Sequence, residues 1–259
     1  MIDITFSFAE LEYFLLILVR VTCFIYIAPF FGMTNTPNRV KIALGLFIAF
    51  VISRYIPHAT LQYNTLSGYV MIIIKEAIAG FLIGFGATLS MSIVAFAGRI
   101  IDMEIGLMMA SVMDPSTREQ TSISGVFYNY SITLMLLITG MYQFLLSALI
   151  ETFTLIPING AIFRMDALVN SMLRFLYDYI MIGFQIALPI FVVITLVNAI
   201  LGILAKVAPQ MNMFAVGMQL KVLTGLVVIF ITVSMMPLAA SFIFDNMKSV
   251  VTQMVKVML

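Results

Sequence analysis

Residues 97–120 read AGRIIDMEIGLMMASVMDPSTREQ. Arg99 and Asp102 stand three apart, a spacing that puts both on one face of a helix, where they can pair. After Gly106 comes an apolar run, Leu107, Met108, Met109, Ala110, Ser111, Val112 and Met113, and then Asp114-Pro115, with Ser116 followed three residues later by Glu119. Pro early in a helix and a Ser-x-x-Glu capping box predict a helix start at that point. The stretch therefore reads as a helix end, a connection and a second helix start, and the connection is apolar where connections are normally polar. The residues alone leave two readings open: a buried re-entrant or helix-packing segment, or a flexible hydrophobic plug.

The composition around this stretch says what kind of chain carries it. Of 259 residues only 10% are charged and 63% are apolar, where roughly a quarter charged is usual for a soluble domain. The mean hydropathy is +1.13, so the outer face has to meet lipid or other proteins. A net charge of +1 without a basic run gives no electrostatic case for nucleic acid, and one Cys and one His exclude an internal disulfide and a His- or Cys-built metal site. The 21 methionines fit either a codon bias or a deformable surface that seals around something variable.

Uncharged windows run over residues 21–38, 42–53, 77–98, 120–150, 179–205 and 222–244. About 20 apolar residues cross a hydrocarbon core, so the second is short, and the fourth would reach about 46 Å as one helix. Such uneven spans suggest that protein packing as well as lipid sets their lengths. Pro29, Pro157, Pro189, Pro209 and Pro237 lie in or beside these stretches, where each is expected to bend or stop a helix. Broken helices at membrane depth survive only against protein or a wet cavity. Gly80 and Gly84, with Ala79 and Ala87, form a small-residue stripe suited to close helix contact. Lys and Arg count two per connection, which gives no orientation signal; the acidic N-terminal stretch, with no cation before Arg20, leans extracytoplasmic and reads as retained, not as a cleaved signal.

No GxSxG, HExxH, P-loop or GxGxxG is present, and His58 sits in a polar break, PHATLQYN. The Asn129-Tyr130-Ser131 glycosylation pattern lies inside an apolar window and reads as ordinary helix. Arg20, Lys75 and Glu76 are costly charges beside apolar spans. Structural pairing, a polar path and snorkelling at an interface are the three roles open to them. Adjacent Lys75 and Glu76 project about 100° apart on a helix and are not expected to face one partner.

KEAIAGFLIGF (75–85), AGRIIDMEIGLMMASVMDP (97–115) and APQMNMFAVGMQLK (208–221), with RVTCFIYIAPFFG and PNRVKIALGL over 20–46 and SALIETFTLIPI over 147–158, together resemble the FliR/SctT family of flagellar and type III secretion export-gate proteins. The resemblance covers nearly the whole chain in order, departing at Glu104, where the family pattern carries Gln; the 208–221 block favours the flagellar branch.

The resemblance implies an all-α subunit of broken helical hairpins, one subunit over residues 1–259, in a helical hetero-oligomeric channel. FliP-like and FliQ-like subunits, FlhB-like and FlhA-like membrane components and unfolded export substrates would be its partners at the bacterial inner membrane, in an assembly largely above the membrane plane. It also implies that Gly106 to Asp114 plugs the closed pore, and it implies no enzyme activity and no cofactor. Arg20, Lys75, Glu76, Arg99 and Asp102 are then candidates for helix pairing or subunit contact. Gln210, Asn212, Gln219 and Lys221 are polar groups at an expected hairpin tip in subunit contact, with Pro209 breaking the helix; a solvated loop is the other reading. The competing expectation is a small-molecule or ion transporter, for which broken helices and membrane charges also hold.

Overall fold

The computed structural model describes residues 8–33, 36–56, 63, 65–110, 112–113, 120–208, 210 and 212–259. The chain is all-α apart from one two-residue ribbon. Its helices are α1 (Phe8–Ile27), α2 (Asn38–Tyr55), α3 (Leu66–Ile105), α4 (Ile123–Ile138), α5 (Met141–Leu155), α6 (Met165–Val207), α7 (Met213–Thr232) and α8 (Met236–Val257). Between α3 and α4, a 3-10 turn at Leu107–Ala110 precedes strands β1 (Val112–Met113) and β2 (Gln120–Thr121); a second 3-10 turn, Val233–Met235, joins α7 to α8. Three segments, Leu66–Ile105, Met165–Val207 and Ala215–Val257, are long and apolar enough to cross a membrane. At 1.5 Å per residue the 40 residues of α3 and 43 of α6 extend for about 60 Å, roughly twice a hydrocarbon core.

The fourth uncharged window is broken, as its length required. Thr139 ends α4, Gly140 starts α5 with φ 79°, and the two helices meet at 66°. Only a residue free to take positive φ makes this corner without strain. Of the two outcomes expected at a proline, Pro189 does not stop its helix: α6 runs on through it. One lost backbone bond inside a long helix is tolerated when the rest of the ladder holds. Pro237 falls in the first turn of α8, where its missing N–H costs nothing. Pro29 and Pro157 follow the ends of α1 and α5, and Pro209 lies outside the described residues. The basic residues counted as connections are mostly helical: among the described residues, Arg164 is the one cation outside a helix. The level count therefore reflects charges carried within helices and carries no topological information.

Two compact units are present. The first comprises residues up to Leu89 with Gly140–Arg174 and Met247–Leu259; the second comprises Ser90–Thr139 and Phe175–Asn246. In the first, α1 buries Leu16, Ile17, Val21 and Phe24, followed by Ala28 just past its end, at helical three- and four-residue spacings. The glycine stripe of α3 is the surface it packs on. A Cβ on Gly80 would collide with the Arg20 carbonyl, and one on Gly84 would come within 3.0 Å of the Phe24 carbonyl. Thr88 Oγ1 donates to the Ile27 carbonyl at 2.6 Å along the same seam. Near the end of α8, Met247, Val250, Val251 and Met254 are buried, with Val250 and Met254 against Gly86. In the second unit the last turns of α3 meet α4 at Gly98 and Gly125, α6 at Phe96 and Gly183, and α7 at Ile105 and Gly225.

Candidate functional site

Helix α3 ends where its sequence switches to glycine. Gly106 takes φ 90°, with nothing within 4 Å of the Cβ it lacks, and its N–H donates to the Asp102 carbonyl at 3.0 Å. Backbone conformation, not space, demands glycine here, a common way to end a helix. The 3-10 turn over Leu107–Ala110 leaves Met108 59% exposed. Beyond it the ribbon pairs Val112 with Thr121 and Met113 with Gln120, antiparallel. Ser111, Asp114, Pro115, Ser116 and Glu119 lie outside the described residues, and the helix start expected at Pro115 lies there with them. The described helix begins at Ile123.

The base of this segment is held by a compact set of contacts. Ser122 is the N-cap of α4, its Oγ accepting from the Gly125 N–H at 2.9 Å. Asp102, 1% exposed, turns both carboxylate oxygens to the Ser124 N–H at 3.2 and 3.3 Å. A buried negative charge is favourable at a helix N-terminus, where unpaired N–H groups concentrate partial positive charge. Asp102 therefore serves α4 and forms no ion pair with Arg99, which stays exposed. The expected i,i+3 pair gives way because a capping carboxylate meets two needs at once. Directly below, the α3 and α4 backbones touch through Gly98 and Gly125. Asp102→Ala should lower stability by about 2 kcal/mol and Ser122→Ala by about 1 kcal/mol, read from thermal unfolding of the detergent-solubilised chain. Unchanged melting of Asp102→Ala would show that the carboxylate holds nothing.

The charges beside the apolar spans form a second cluster, in the first unit. Arg20 and Glu76 are both fully buried and pair at 2.6 Å between Nε and Oε2. Arg20 Nη1 also donates to the carbonyls of Thr152 and Ile156 at 3.2 and 3.1 Å, and its guanidinium lies 4.3 Å from the Phe153 ring centre. The cation is thus a second donor to the Thr152 carbonyl, which already accepts from the Ile156 N–H at 2.8 Å, and it satisfies the Ile156 carbonyl just past the end of α5, where a helix leaves carbonyls unpaired. Glu76 Oε1 accepts from the Asn159 N–H at 3.0 Å, and Lys75 Nζ donates to Asn159 Oδ1 at 3.3 Å. Lys75 and Glu76 do share a partner, contrary to expectation: Asn159, at φ 68°, offers its backbone to one and its side chain to the other.

At the 208–221 block, α6 ends at Val207 and α7 begins at Met213. Asn212 is the N-cap, accepting from the Ala215 N–H at 3.4 Å. Gln210 lies in the turn and is exposed, whereas Gln219 and Lys221 stand on α7 itself, so the tip is shorter than its polar residues suggest. Sequence reasoning missed Ser122, Ser124, Gly125, Thr152 and Asn159. The Thr-Ser-Ile-Ser-Gly run before the apolar window of α4 was the available signal for the first three.

Among the described residues no group of three His, Cys, Asp or Glu side chains could hold a metal. The cleft beside Pro189, walled by Tyr128, Gln185, Thr232 and Phe242, contains no acid–base pair. Helices joined by glycine seams and buried caps are what the chain builds, and the comparisons agree with that character. The chain is 26% identical over 228 residues to the flagellar biosynthetic protein FliR of Aquifex aeolicus, covering 88% of this chain and 87% of that protein. It is 27% identical over 235 residues to the FliR of Bacillus subtilis, covering 90% of each. To the FliR of Escherichia coli it is 28% identical over 229 residues, covering 87% and 84%. The model of bacterial export proteins, family 1, matches residues 11–247, nearly the whole helical array described above, and the chain belongs to that family.

Proposed function

We propose that the chain is a membrane-embedded core subunit of the flagellar protein export gate and not an enzyme. In this reading it forms, with FliP-like and FliQ-like subunits and beside FlhB-like and FlhA-like components of the bacterial inner membrane, the channel that passes unfolded export substrates. All of residues 1–259 act as one subunit. The relatives' shared name supports the flagellar assignment. Surface chemistry supports assembly over a free-standing transporter: Val169, Leu173, Leu176, Ile180, Phe184 and Leu188, about half exposed each, continue one apolar stripe along an α6 far longer than a bilayer needs. Pro209, Gln210 and Asn212 between α6 and α7, and Lys221 on α7, are assigned to subunit contact.

Residues Gly106 to Asp114 close the idle pore. The observation that carries this reading is an exposed methionine beside a held base: the Gly98–Gly125 contact and the Asp102 and Ser122 caps fix the end of α3 against the start of α4, while Met108 projects. An export pore must admit many side chains yet hold ions back when idle, which calls for an apolar, deformable constriction that excludes water. Thioether side chains re-pack readily around a changing surface. Deleting residues 107–113 should leave co-purification with partner subunits intact and raise ion leakage severalfold in cells or reconstituted vesicles. Unchanged leakage through an assembled complex would remove the plug assignment.

A further inference from the structure

We propose that a cleft in the first unit, between the start of α6 and the end of α8, binds the phosphate-bearing headgroup of an anionic membrane lipid. The cleft, of about 430 Å³, is lined by Arg174 of α6 and by Lys248, Ser249, Thr252, Gln253 and Lys256 of α8. Lys248, Thr252 and Lys256 are four apart and form one helix face, with Ser249 and Gln253 in the adjoining row. The opposite face, Met247, Val250, Val251 and Met254, is buried, so the end of α8 cannot turn and its polar face is held outward.

Cations in the last turn of a helix commonly do no more than offset its C-terminal carbonyls. That explanation covers Lys256 but not Arg174, which comes from another helix and lines the same cleft. No carboxylate is among the lining residues; Asp178 and Asp245, one turn away along α6 and α8, do not line it. Lys248 Nζ lies 5.7 Å from the Phe144 ring centre. Gln253 Nε2 donates to Ser249 Oγ at 3.1 Å, and the Ser249 O–H is then a donor suited to an anion.

The position of the cleft along the helices selects the ligand. Arg174 precedes the uncharged window 179–205 and Lys248 follows the window 222–244, and both windows belong to segments long and apolar enough to cross a membrane. Cations that flank two such windows and meet in one cleft stand at headgroup level, where basic pockets between helices hold anionic lipid. Only this end of α6 and α8 has to reach the headgroup layer, whatever share of the assembly stands above it.

The full-length chain in detergent, titrated with phosphatidylglycerol and followed by native mass spectrometry, tests the assignment. Arg174→Gln/Lys248→Gln/Lys256→Gln should weaken phosphatidylglycerol binding by roughly a hundredfold, about fivefold per cation. The double variant Arg174→Gln/Lys256→Gln, which spares the Lys248–Phe144 contact, should weaken it about 25-fold with unchanged thermal unfolding. Phosphatidylcholine should bind far more weakly than phosphatidylglycerol. Equal binding of both lipids, or undiminished phosphatidylglycerol binding by the double variant, overturns the proposal. Displacement of the lipid by inorganic phosphate at equal concentration would make the ligand a free anion, and loss of the lipid site on assembly with partner subunits would give the cleft to an acidic partner segment; either result also overturns it.

Discussion

Arg20→Met is expected to lower stability by about 3–5 kcal/mol, the usual result of leaving one member of a buried ion pair without its partner. The variant strands Glu76 in a fully buried position with one remaining donor, the Asn159 N–H. It also removes the donor to the Ile156 carbonyl and the second donor to the Thr152 carbonyl, which keeps only the Ile156 N–H. Glu76→Gln should cost less, because the amide oxygen can still accept from Arg20 while the cation keeps its two carbonyls and the Phe153 ring. The informative construction is Arg20→Met/Glu76→Leu. Exchange of a buried pair for apolar groups of similar volume is often neutral, but here the Ile156 carbonyl and the Asn159 N–H lose the partners that Arg20 and Glu76 supply. The double variant should therefore recover only part of the loss, as measured by thermal unfolding in detergent and by accumulation in membranes. Full recovery would mean that Arg20 serves Glu76 alone and has no role in ending α5.

Gly98→Val is the second large effect. A Cβ at this position would fall against the Gly125 Cα and at 2.5 Å from the Gly125 nitrogen. Backbone, unlike the tip of a flexible side chain, cannot swing aside, so α3 and α4 have to separate. Overpacking typically costs about 1–3 kcal/mol, and the separation also lengthens the bonds from the Ser124 N–H to Asp102, which places the expected loss at or above the top of that range. Gly106→Ala offers a contrast, since open space surrounds it and only its positive φ resists the change. If Gly98→Val melts like the parent protein, the glycine contact is not the seam that fixes the base of the 106–121 segment.

The residues show unevenly in advance what they do. Gly80 and Gly84 announced a close helix contact by spacing alone, and α1 lies on them. The corner at Gly140 was implied by a window too long for one crossing. Arg20 was legible as a charge that needs a partner, but the partner was not, because Glu76 and Thr152 are brought to it by packing between distant helices. Local rules failed where two needs met in one side chain. Asp102 suits both an i,i+3 pair and a helix cap, and the cap 22 residues away prevails. Lys75 and Glu76 diverge on their helix, yet both reach Asn159, whose left-handed backbone presents an N–H and a side-chain oxygen together. The Met-rich run after Gly106 was visible as an apolar connection; the ribbon within it was not, since two residues per strand leave no alternation to read.

The Arg20 cluster also sets a clock. Its carbonyl partner Thr152 is encoded 132 residues after it, and at about 5–20 residues per second a ribosome needs about 7–26 s to supply that distance. Glu76, 56 residues after Arg20, arrives first, so for the opening part of that interval α1 is a finished helix with a cation near its middle and no long-range partner, and for the rest it still lacks α5. It cannot settle in an apolar setting alone, so the nascent chain has to hold α1 at a wet surface or against a helper protein until α3, and then α5, arrive. Maturation of this protein is thereby stepwise along the chain, with its first helix secured by α3 and then by α5 before α6 to α8 are complete.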